Sequence, residues 1–287
     1  KEEEEGTKII TIFKVTCCDA SAQLEDAYKE FSTVVAFSAT IKPFDYYSRL
    51  SGFEQSRVRM AEFVSPFPAV NRKVLVIPQV STKYADRKSN YLKIAQAIVR
   101  ITNVRPGNYL IFFPSYSFLE EVLAVTRADG FTVMAQKPEM KASEVQDWLA
   151  ALREGGVNSL IFAVQGGVLS EGVDYPGDVV IGALIVGPAI PKYNLERELM
   201  RKYYEKVYAC GFDYAYTFPA MTRVVQAAGR VIRSETDRGL IVLLDRRFLE
   251  DNFAKSMPGE WFDKSVNELV SQSILKDVDE FWRSCCL

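Results

Sequence analysis

The chain has 287 residues, 48% of them hydrophobic, and carries 35 Lys and Arg against 37 Asp and Glu, for a formal net charge of −2. This composition predicts an ordered globular protein with one large core or two smaller ones, in which any contact with nucleic acid or phosphate needs a local basic surface. The sequence contains no histidine, which excludes His-dependent catalytic triads, His-ligated metals and imidazole acid–base catalysis.

The cysteines and the apolar runs argue against a disulfide-stabilised, a Cys-ligated metal or a membrane-spanning protein. The five cysteines are odd in number and form no C-x-x-C pair, so they give neither a disulfide framework nor a zinc or iron–sulfur ligand set. The apolar run over residues 179–190 is too short to span a bilayer, and the opening "KEEEEG" is acidic, unlike a signal peptide. We expect a cytoplasmic protein with reduced thiols and no membrane contact.

The first segment predicts part of a separate domain. "TKIITIFKVT" (residues 7–16) and "STVVAFSAT" (residues 32–40) are typical of strands, with a helix between them. "SATIKP" (residues 38–43) places hydroxyl groups directly after the second strand. We expect residues 1–45 to be the C-terminal remnant of one domain and residues 46–287 to form a second.

In the second domain, apolar β-branched runs alternate with helical patterns. We predict strands over residues 73–78, 108–114, 131–136, 158–164, 178–187 and 239–245, and helices over residues 86–102, 117–129, 143–154 and 195–209. Strands that are apolar on both faces are typical of a parallel sheet between helices. The alternation predicts an α/β fold with a doubly wound, mostly parallel sheet and helices on both faces.

Ligands of such sheets gather beyond the carboxyl ends of the strands. There, "PSYS" (residues 114–117) puts hydroxyl groups at the start of a helix, where an anion such as phosphate is favoured, although Ser115 or Ser117 is also a good helix N-cap. The glycines of "QGGVLSEGVDYPG" (residues 165–177) allow backbone to approach a ligand, and they equally suit a tight turn. Glu171 and Asp174 can accept hydrogen bonds from ribose hydroxyls or orient an arginine.

A further helix is predicted over residues 224–233, "VVQAAGRVIR". At about 100° per residue, Gln226, Arg230 and Arg233 lie within about 60° of one another, with Arg223 at the edge of the same arc. This stripe would aim two guanidinium groups and an amide at a ligand. It is also typical of the solvated face of an amphipathic helix.

Taken in this order and spacing, "SAT", "FFPSYS", "GGVLSEGVDYPG" and "QAAGRVIR" resemble the later motifs of superfamily 2 DNA helicases of the DinG/XPD (Rad3-related) branch. The pair "EGVDYPG" and "QAAGRVIRSETDRG" is specific to that branch, and the resemblance runs over about residues 33–247. It implies a motor in which two RecA-like domains clamp ATP and move along single-stranded DNA in the 5′ to 3′ direction. This chain resembles the second RecA-like domain, preceded by the end of the first.

The resemblance also implies roles for single residues. Arg233 and Arg230 would be arginine fingers that reach the γ-phosphate of ATP, with Gln226 beside them in the catalytic group. The other implied roles are ATP binding by Glu171, Gly172 and Asp174, contact with the DNA strand by Ser115, Tyr116, Gln165, Gly166 and Gly167, and coupling of hydrolysis to domain movement by Ser38 and Thr40.

Two motifs that ATP hydrolysis needs are not in the sequence, the phosphate-binding "GxxxxGK[ST]" loop and the "DExH" motif that holds Mg²⁺. We therefore expect ATP and Mg²⁺ to be bound mainly by the N-terminal motor domain of the same protein, and the isolated chain not to hydrolyse ATP. An iron–sulfur cluster of the kind this branch often carries would lie upstream. Asp245 imitates a Walker B aspartate but follows the arginine helix, so it is assigned no Mg²⁺ role. The chain is expected to be a piece of a longer protein, or a natural chain with a partner in trans.

Two other functions fit part of the pattern. A non-catalytic RecA-like module would bind single-stranded nucleic acid or a protein without completing an ATP site. A nucleotide-sugar transferase would explain the glycine-rich loop but leaves the arginines without a role. Among the aromatic residues, Tyr203, Tyr204 and Tyr208 are expected to pack against the sheet rather than to stack on bases.

Overall fold

The structure is a computed structural model that describes residues 13–170, 173, 175 and 177–284. A six-stranded sheet forms its centre, and every strand pairing in that sheet is parallel. The strands are β1 (Arg72–Val76), β2 (Tyr109–Phe113), β3 (Thr132–Ala135), β4 (Ser159–Val164), β5 (Gly182–Ile185) and β6 (Gly239–Leu243). The predicted parallel α/β sheet is therefore confirmed.

Helices connect the strands and cover both faces of the sheet. In the described part of the chain the α-helices are α1 (Ser21–Tyr28), α2 (Phe44–Leu50), α3 (Arg87–Thr102), α4 (Tyr116–Val125), α5 (Ala142–Glu154), α6 (Leu195–Tyr208), α7 (Phe218–Ala228), α8 (Asp251–Ala254) and α9 (Ile274–Arg283). A π-helical turn, Asp213–Thr217, leads directly into α7. None of the helices among these residues has the length and apolar character that crossing a bilayer needs.

The strand order is β1-β6-β5-β2-β4-β3. Because all strands run the same way, their carboxyl ends meet at one edge, as the pairings of Phe113 with Val164 and of Ile185 with Leu243 show. The loops that follow β2, β4, β5 and β6 all leave the sheet at this edge. This edge is where ligands of open α/β sheets bind.

Two apolar cores hold the layers together, one on each face of the sheet. On one face, Ile94 of α3, Phe118 of α4 and Val278 of α9 pack with the sheet, and each is at most 1% exposed. On the other face, Leu149 of α5 and Val224 of α7 are likewise buried. Strands β2 and β6 are buried along their whole length, which explains why their sequences are apolar without alternation.

The first segment differs from its prediction. The helix expected there is α1, but residues 32–40 form no strand, and Val35 and Phe37 are 76% and 90% exposed. A strand needs a hydrogen-bonded neighbour, and the described residues offer this segment none. Residues 7–12 of the other predicted strand lie outside the described residues, and its remainder, 13–16, is not a strand. The domain boundary at residue 45 stays a prediction.

Three tyrosines of α6 form hydrogen bonds to the segment that precedes α1. Tyr204 is 3% exposed and its hydroxyl donates to the carbonyl of Cys18 over 2.6 Å. The Tyr203 and Tyr208 hydroxyls donate to a carboxylate oxygen of Asp19 over 3.2 and 2.6 Å. These rings therefore pack against the segment before α1 and against a separate aromatic cluster with Tyr214, rather than against the sheet as predicted.

Candidate nucleotide and nucleic-acid site

The loop after β2 leads into α4 through Ser115. Its side chain accepts a hydrogen bond from the Phe118 N–H over 3.4 Å, so this serine caps the helix, one of the two roles considered for it. The neighbouring Tyr116 is half-buried, which raises the pKa of its phenol. Its hydroxyl accepts from the Gln136 amide over 3.0 Å.

Gln136 joins this loop to the one after β4. Its Oε1 accepts from the Val164 N–H over 3.0 Å, while its Nε2 donates to Tyr116. It is 4% exposed. Sequence reasoning did not single out Gln136, although a glutamine at the end of the apolar strand "FTVMAQ" marks the carboxyl edge.

The three residues after β4 differ in exposure. Gln165 is 3% exposed, and its amide donates to the carbonyl of Gly187 over 2.8 Å, which ties this loop to the one after β5. Gly166 is exposed and has φ of +77°, a backbone conformation that favours glycine. The surface that this loop offers is therefore backbone at Gly166 and Gly167, with the Gln165 side chain beneath it.

Helix α7 ends earlier than predicted, so the expected arginine stripe is not one helix face. The helix begins at Phe218 and ends at Ala228, and Arg230 and Arg233 lie beyond it. The backbone leaves the α-helical pattern there, because the Arg230 N–H bonds to the carbonyl three residues before it, at Ala227, over 3.3 Å. Gly229, a poor helix former, occupies the C-cap.

A buried carboxylate shapes the turn that follows. Asp237, 5% exposed, accepts from the N–H groups of Arg233 and Ser234 over 2.7 and 2.8 Å and from the Ser234 hydroxyl over 2.6 Å. These bonds replace the intrahelical ones that residues 233 and 234 would otherwise make. They fix the backbone from which the exposed Arg233 side chain extends.

Two arginines of this region contact the loop between β4 and β5. The Arg230 Nη1 donates to the carbonyl of Val173 over 2.9 Å. The Arg223 guanidinium lies over Gly166 at the other end of the same loop. Glu171, Gly172 and Asp174, which were predicted to bind ATP, lie outside the described residues.

A large open cavity of about 1390 Å³ lies between the first segment and the end of α7. The structure brings five of the predicted site residues together around it, namely Ser38, Thr40, Gln226, Arg230 and Arg233. Ser38 and Thr40 also contact each other, since the Thr40 N–H donates to the Ser38 hydroxyl over 3.2 Å. The predicted strand-contacting residues, Ser115, Tyr116, Gln165, Gly166 and Gly167, lie instead at the carboxyl edge and do not line this cavity.

Asp245 follows β6, just beyond its last residue Leu243, and lies in a polar cluster at the carboxyl edge. It is fully buried and accepts from Arg247 Nη2 over 2.9 Å and from the Thr82 N–H over 2.8 Å. Burial alone would raise the pKa of this carboxyl, but the hydrogen bonds and charge of Arg247, together with Thr82, hold its pKa below the ordinary value. The carboxylate oxygens are thus already bonded within the protein, in an ion pair with Arg247. The described residues contain no group of three or more Cys, Asp or Glu placed to hold a metal ion.

Comparison with known proteins finds that the chain is similar to helicases. The chain matches the helicase C-terminal domain family over residues 98–264. The XPD helicase subunit of general transcription and DNA repair factor IIH from Arabidopsis thaliana is 27% identical over 270 residues, which cover 86% of this chain and 35% of that protein. The corresponding XPD/RAD3 subunit of Saccharomyces cerevisiae is 26% identical over 295 residues, 95% of this chain and 37% of that protein.

A solved XPD helicase structure shares the fold, with a TM-score of 0.63 at 21% identity over 83% of this chain and 43% of that chain. The chain spans only 35–37% of the length of the two XPD relatives. The family match nevertheless covers more than half of the 287 residues and contains β2, β4 and the arginines after α7. The chain therefore belongs to the helicase C-terminal domain family, in the DinG/XPD branch of the superfamily 2 helicases.

Proposed function

We propose that this chain is the C-terminal motor domain of an ATP-dependent DNA helicase and that it supplies arginine fingers to an ATP site shared with an N-terminal motor domain. The observation that carries the proposal is the single cavity lined by Gln226, Arg230 and Arg233 on one side and by Ser38 and Thr40 on the other. In a motor of two RecA-like domains, these are the groups expected at the cleft between the domains.

Arg233 and Arg230 would act on the γ-phosphate. Phosphoryl transfer depends mainly on positive donors placed where negative charge develops, and an arginine finger contributes about three to five decades in rate in well-studied NTPases. The clamp of Asp237 on the Arg233 backbone supports this role, because a finger must be held in position before the reaction. Gln226 is proposed to assist beside them.

Arg230 would connect the nucleotide to the strand. Its bond to Val173 holds the loop that also contains Glu171, Gly172 and Asp174, which we propose for the ATP side. The same loop begins with Gln165, Gly166 and Gly167 at the carboxyl edge. Movement of this loop on nucleotide binding would therefore also displace the residues near the strand. Ser38 and Thr40 would couple this movement to the first domain.

The single DNA strand would lie along the carboxyl edge. The exposed backbone at Gly166, followed by the half-buried Gly167, can approach phosphates closely, and the start of α4 at Ser115 and Tyr116 would offer backbone N–H groups and hydroxyls to them. Gln165 would contribute by holding the turn through its bond to Gly187. We propose movement in the 5′ to 3′ direction along this strand, in the cytoplasm.

The N-terminal motor domain would bind most of the ATP and the Mg²⁺, and residues 1–45 would be its last part. An iron–sulfur cluster, where the parent protein has one, would belong to that domain as well. The described part of this chain offers carboxylates in no arrangement that suits Mg²⁺, and the buried Asp245 is already paired with Arg247. The isolated chain is accordingly proposed not to hydrolyse ATP.

The test compares ATP hydrolysis by the full-length parent protein and by this chain alone, with and without single-stranded DNA. We expect the parent to hydrolyse ATP faster when the strand is present and the isolated chain to give no turnover above buffer. A parent protein that binds the strand but hydrolyses no ATP would instead support the non-catalytic RecA-like module.

A further inference from the structure

Arg223 is an exposed arginine on α7, one turn before Gln226. Its guanidinium occupies the space above Gly166, since a Cβ added to that glycine would lie 3.3 Å from Arg223 Nε and 3.5 Å from its Cζ. On α7, the residues that line the large cavity begin at Val225. Arg223 therefore faces the carboxyl edge of the sheet, and its side chain does not line the cavity.

The backbone beneath Arg223 offers free donors. At the turn, the Gln165 N–H donates to Phe113 O and the Gly167 N–H to Val164 O, whereas the N–H groups of Gly166 and Val168 find no acceptor among the described residues. Backbone N–H groups around a residue with positive φ form a concavity that binds anions. Gly166 provides that conformation, with φ of +77°.

The charge of Arg223 is not neutralised within the described part of the chain, where no carboxylate pairs with it. A guanidinium presents a planar fork of donors that matches a phosphate group. An arginine without an acidic partner, placed over a turn with free N–H groups, is suited to a singly or doubly charged oxyanion. Its position at the edge shared with Ser115 and Tyr116 selects a phosphate of the strand rather than one of the nucleotide.

The turn is also held in advance of binding. Its loop is contacted a second time where Arg230, just after the end of α7, donates to Val173 O. Gln165 anchors the turn from below through its bond to Gly187. A site fixed at these points loses little conformational entropy when a ligand binds.

We infer that Arg223, with the N–H groups of Gly166 and Val168, binds one backbone phosphate of the single strand. This inference rests on the proposed function, and it adds a strand-binding residue on α7, the helix that leads to the fingers. Because the contact is to a phosphate, it supplies affinity and salt dependence but no sequence preference.

The experiment measures binding of a fluorescent oligothymidylate to the full-length parent protein over a range of salt concentrations. The variants are Arg223→Gln, which removes the charge, and Arg223→Lys, which keeps it. The matched control is Arg153→Gln, since Arg153 is an exposed arginine in the last turn of α5, which leads to the opposite edge of the sheet. All three changes are at exposed positions, and thermal melting confirms that each variant folds.

We expect Arg223→Gln to raise the dissociation constant about tenfold at low salt and to reduce the slope of its logarithm against log salt by about 0.7, the contribution of one phosphate contact to a single strand. Arg223→Lys should retain most of the slope, and Arg153→Gln should match wild type. In the hydrolysis assay, Arg223→Gln should need more strand for half-maximal stimulation and reach the wild-type rate at saturation.

If wild type binds the strand and Arg223→Gln has the same affinity and slope as Arg153→Gln, the phosphate contact is refuted while the proposed motor stands. If Arg223→Gln instead loses hydrolysis at saturating strand with unchanged binding, Arg223 acts on the nucleotide side and the inference is also wrong. A wild-type parent that binds no strand overturns both the inference and the proposed DNA motor.

Discussion

Gly187 shows how closely single residues at the carboxyl edge are packed. Its φ is +73°, and an added Cβ would lie 2.0 Å from the Thr82 hydroxyl oxygen and 2.8 Å from the Thr82 Cβ. Thr82 cannot yield easily, because its N–H and hydroxyl are bonded to the buried Asp245. The glycine is thus required by backbone conformation and by space at once.

We predict that Gly187→Ala lowers the free energy of unfolding of the chain by about 2–4 kcal/mol, the sum of a strained φ and overpacking. Gly130→Ala is the matched control, since Gly130 also has positive φ, +84°, but nothing lies within 4 Å of its added Cβ. It should cost only about 1 kcal/mol. Urea unfolding of both variants measures the difference, and equal losses would contradict the role of the Thr82 contact.

The sequence predicted which residues lie in the loop near a ligand, but it did not predict which of their side chains are buried. The pattern "QGG" pointed to a loop close to a ligand, but it could not separate the buried Gln165 side chain from the exposed Gly166, because burial depends on Gly187 in another loop. Gln136 was missed for the same reason, since its two partners lie on β4 and α4.

The loops after β1 and β6 are joined by one buried carboxylate. Asp245 joins them, with Thr82 from the first loop and Arg247 from the second bonded to one carboxylate. Its folded-state pKa is held below the ordinary value of about 3.9 that applies to the unfolded chain. The carboxylate therefore stabilises the fold fully above about pH 5, and this contribution is lost as the pH falls through the folded pKa.

We predict that Asp245→Asn costs about 3 kcal/mol in the free energy of unfolding at pH 7, because Arg247 is left as a largely buried charge without its partner. The variant should also lose less stability than wild type between about pH 5 and pH 3, because it has no carboxylate at position 245 to be protonated as the pH falls through the unfolded pKa and below it. Asp129→Asn, at an exposed position, is the control. Urea midpoints across this pH range test it; a wild-type acid dependence in Asp245→Asn would contradict the account.

Helix α7 illustrates why element boundaries escape sequence reasoning. The 3.6-residue pattern continues through residues 224–233, which predicted a helix to the end of that stretch. The backbone stops at Ala228 because Gly229 weakens the helix and Asp237 captures the N–H groups that residues 233 and 234 would have used within it. The start was missed as well, since the helix extends back through Phe218 into a π-helical turn.

In the whole molecule, the six parallel strands were all predicted at their places. Strands β2, β4, β5 and β6 are apolar runs buried along their whole length, whereas the edge strand β3 is exposed at Thr132 and Val133. The expected strand over residues 32–40 has a similar apolar pattern but no neighbour to pair with among the described residues. The gathering of Ser38 and Thr40 with Gln226, Arg230 and Arg233 was expected only through the resemblance, since no local pattern relates positions so far apart.

The arginines after α7 are proposed to complete an ATP site in a motor of two domains. The most direct measurement is the rate of ATP hydrolysis stimulated by single-stranded DNA in the full-length parent, for wild type and Arg233→Ala, with Arg153→Ala as the control and with ATP and DNA affinities measured alongside. We predict a fall of about three to five decades for Arg233→Ala, with both affinities within a few-fold of wild type. A rate for Arg233→Ala close to that of wild type would contradict the account and leave the arginines as a solvated surface.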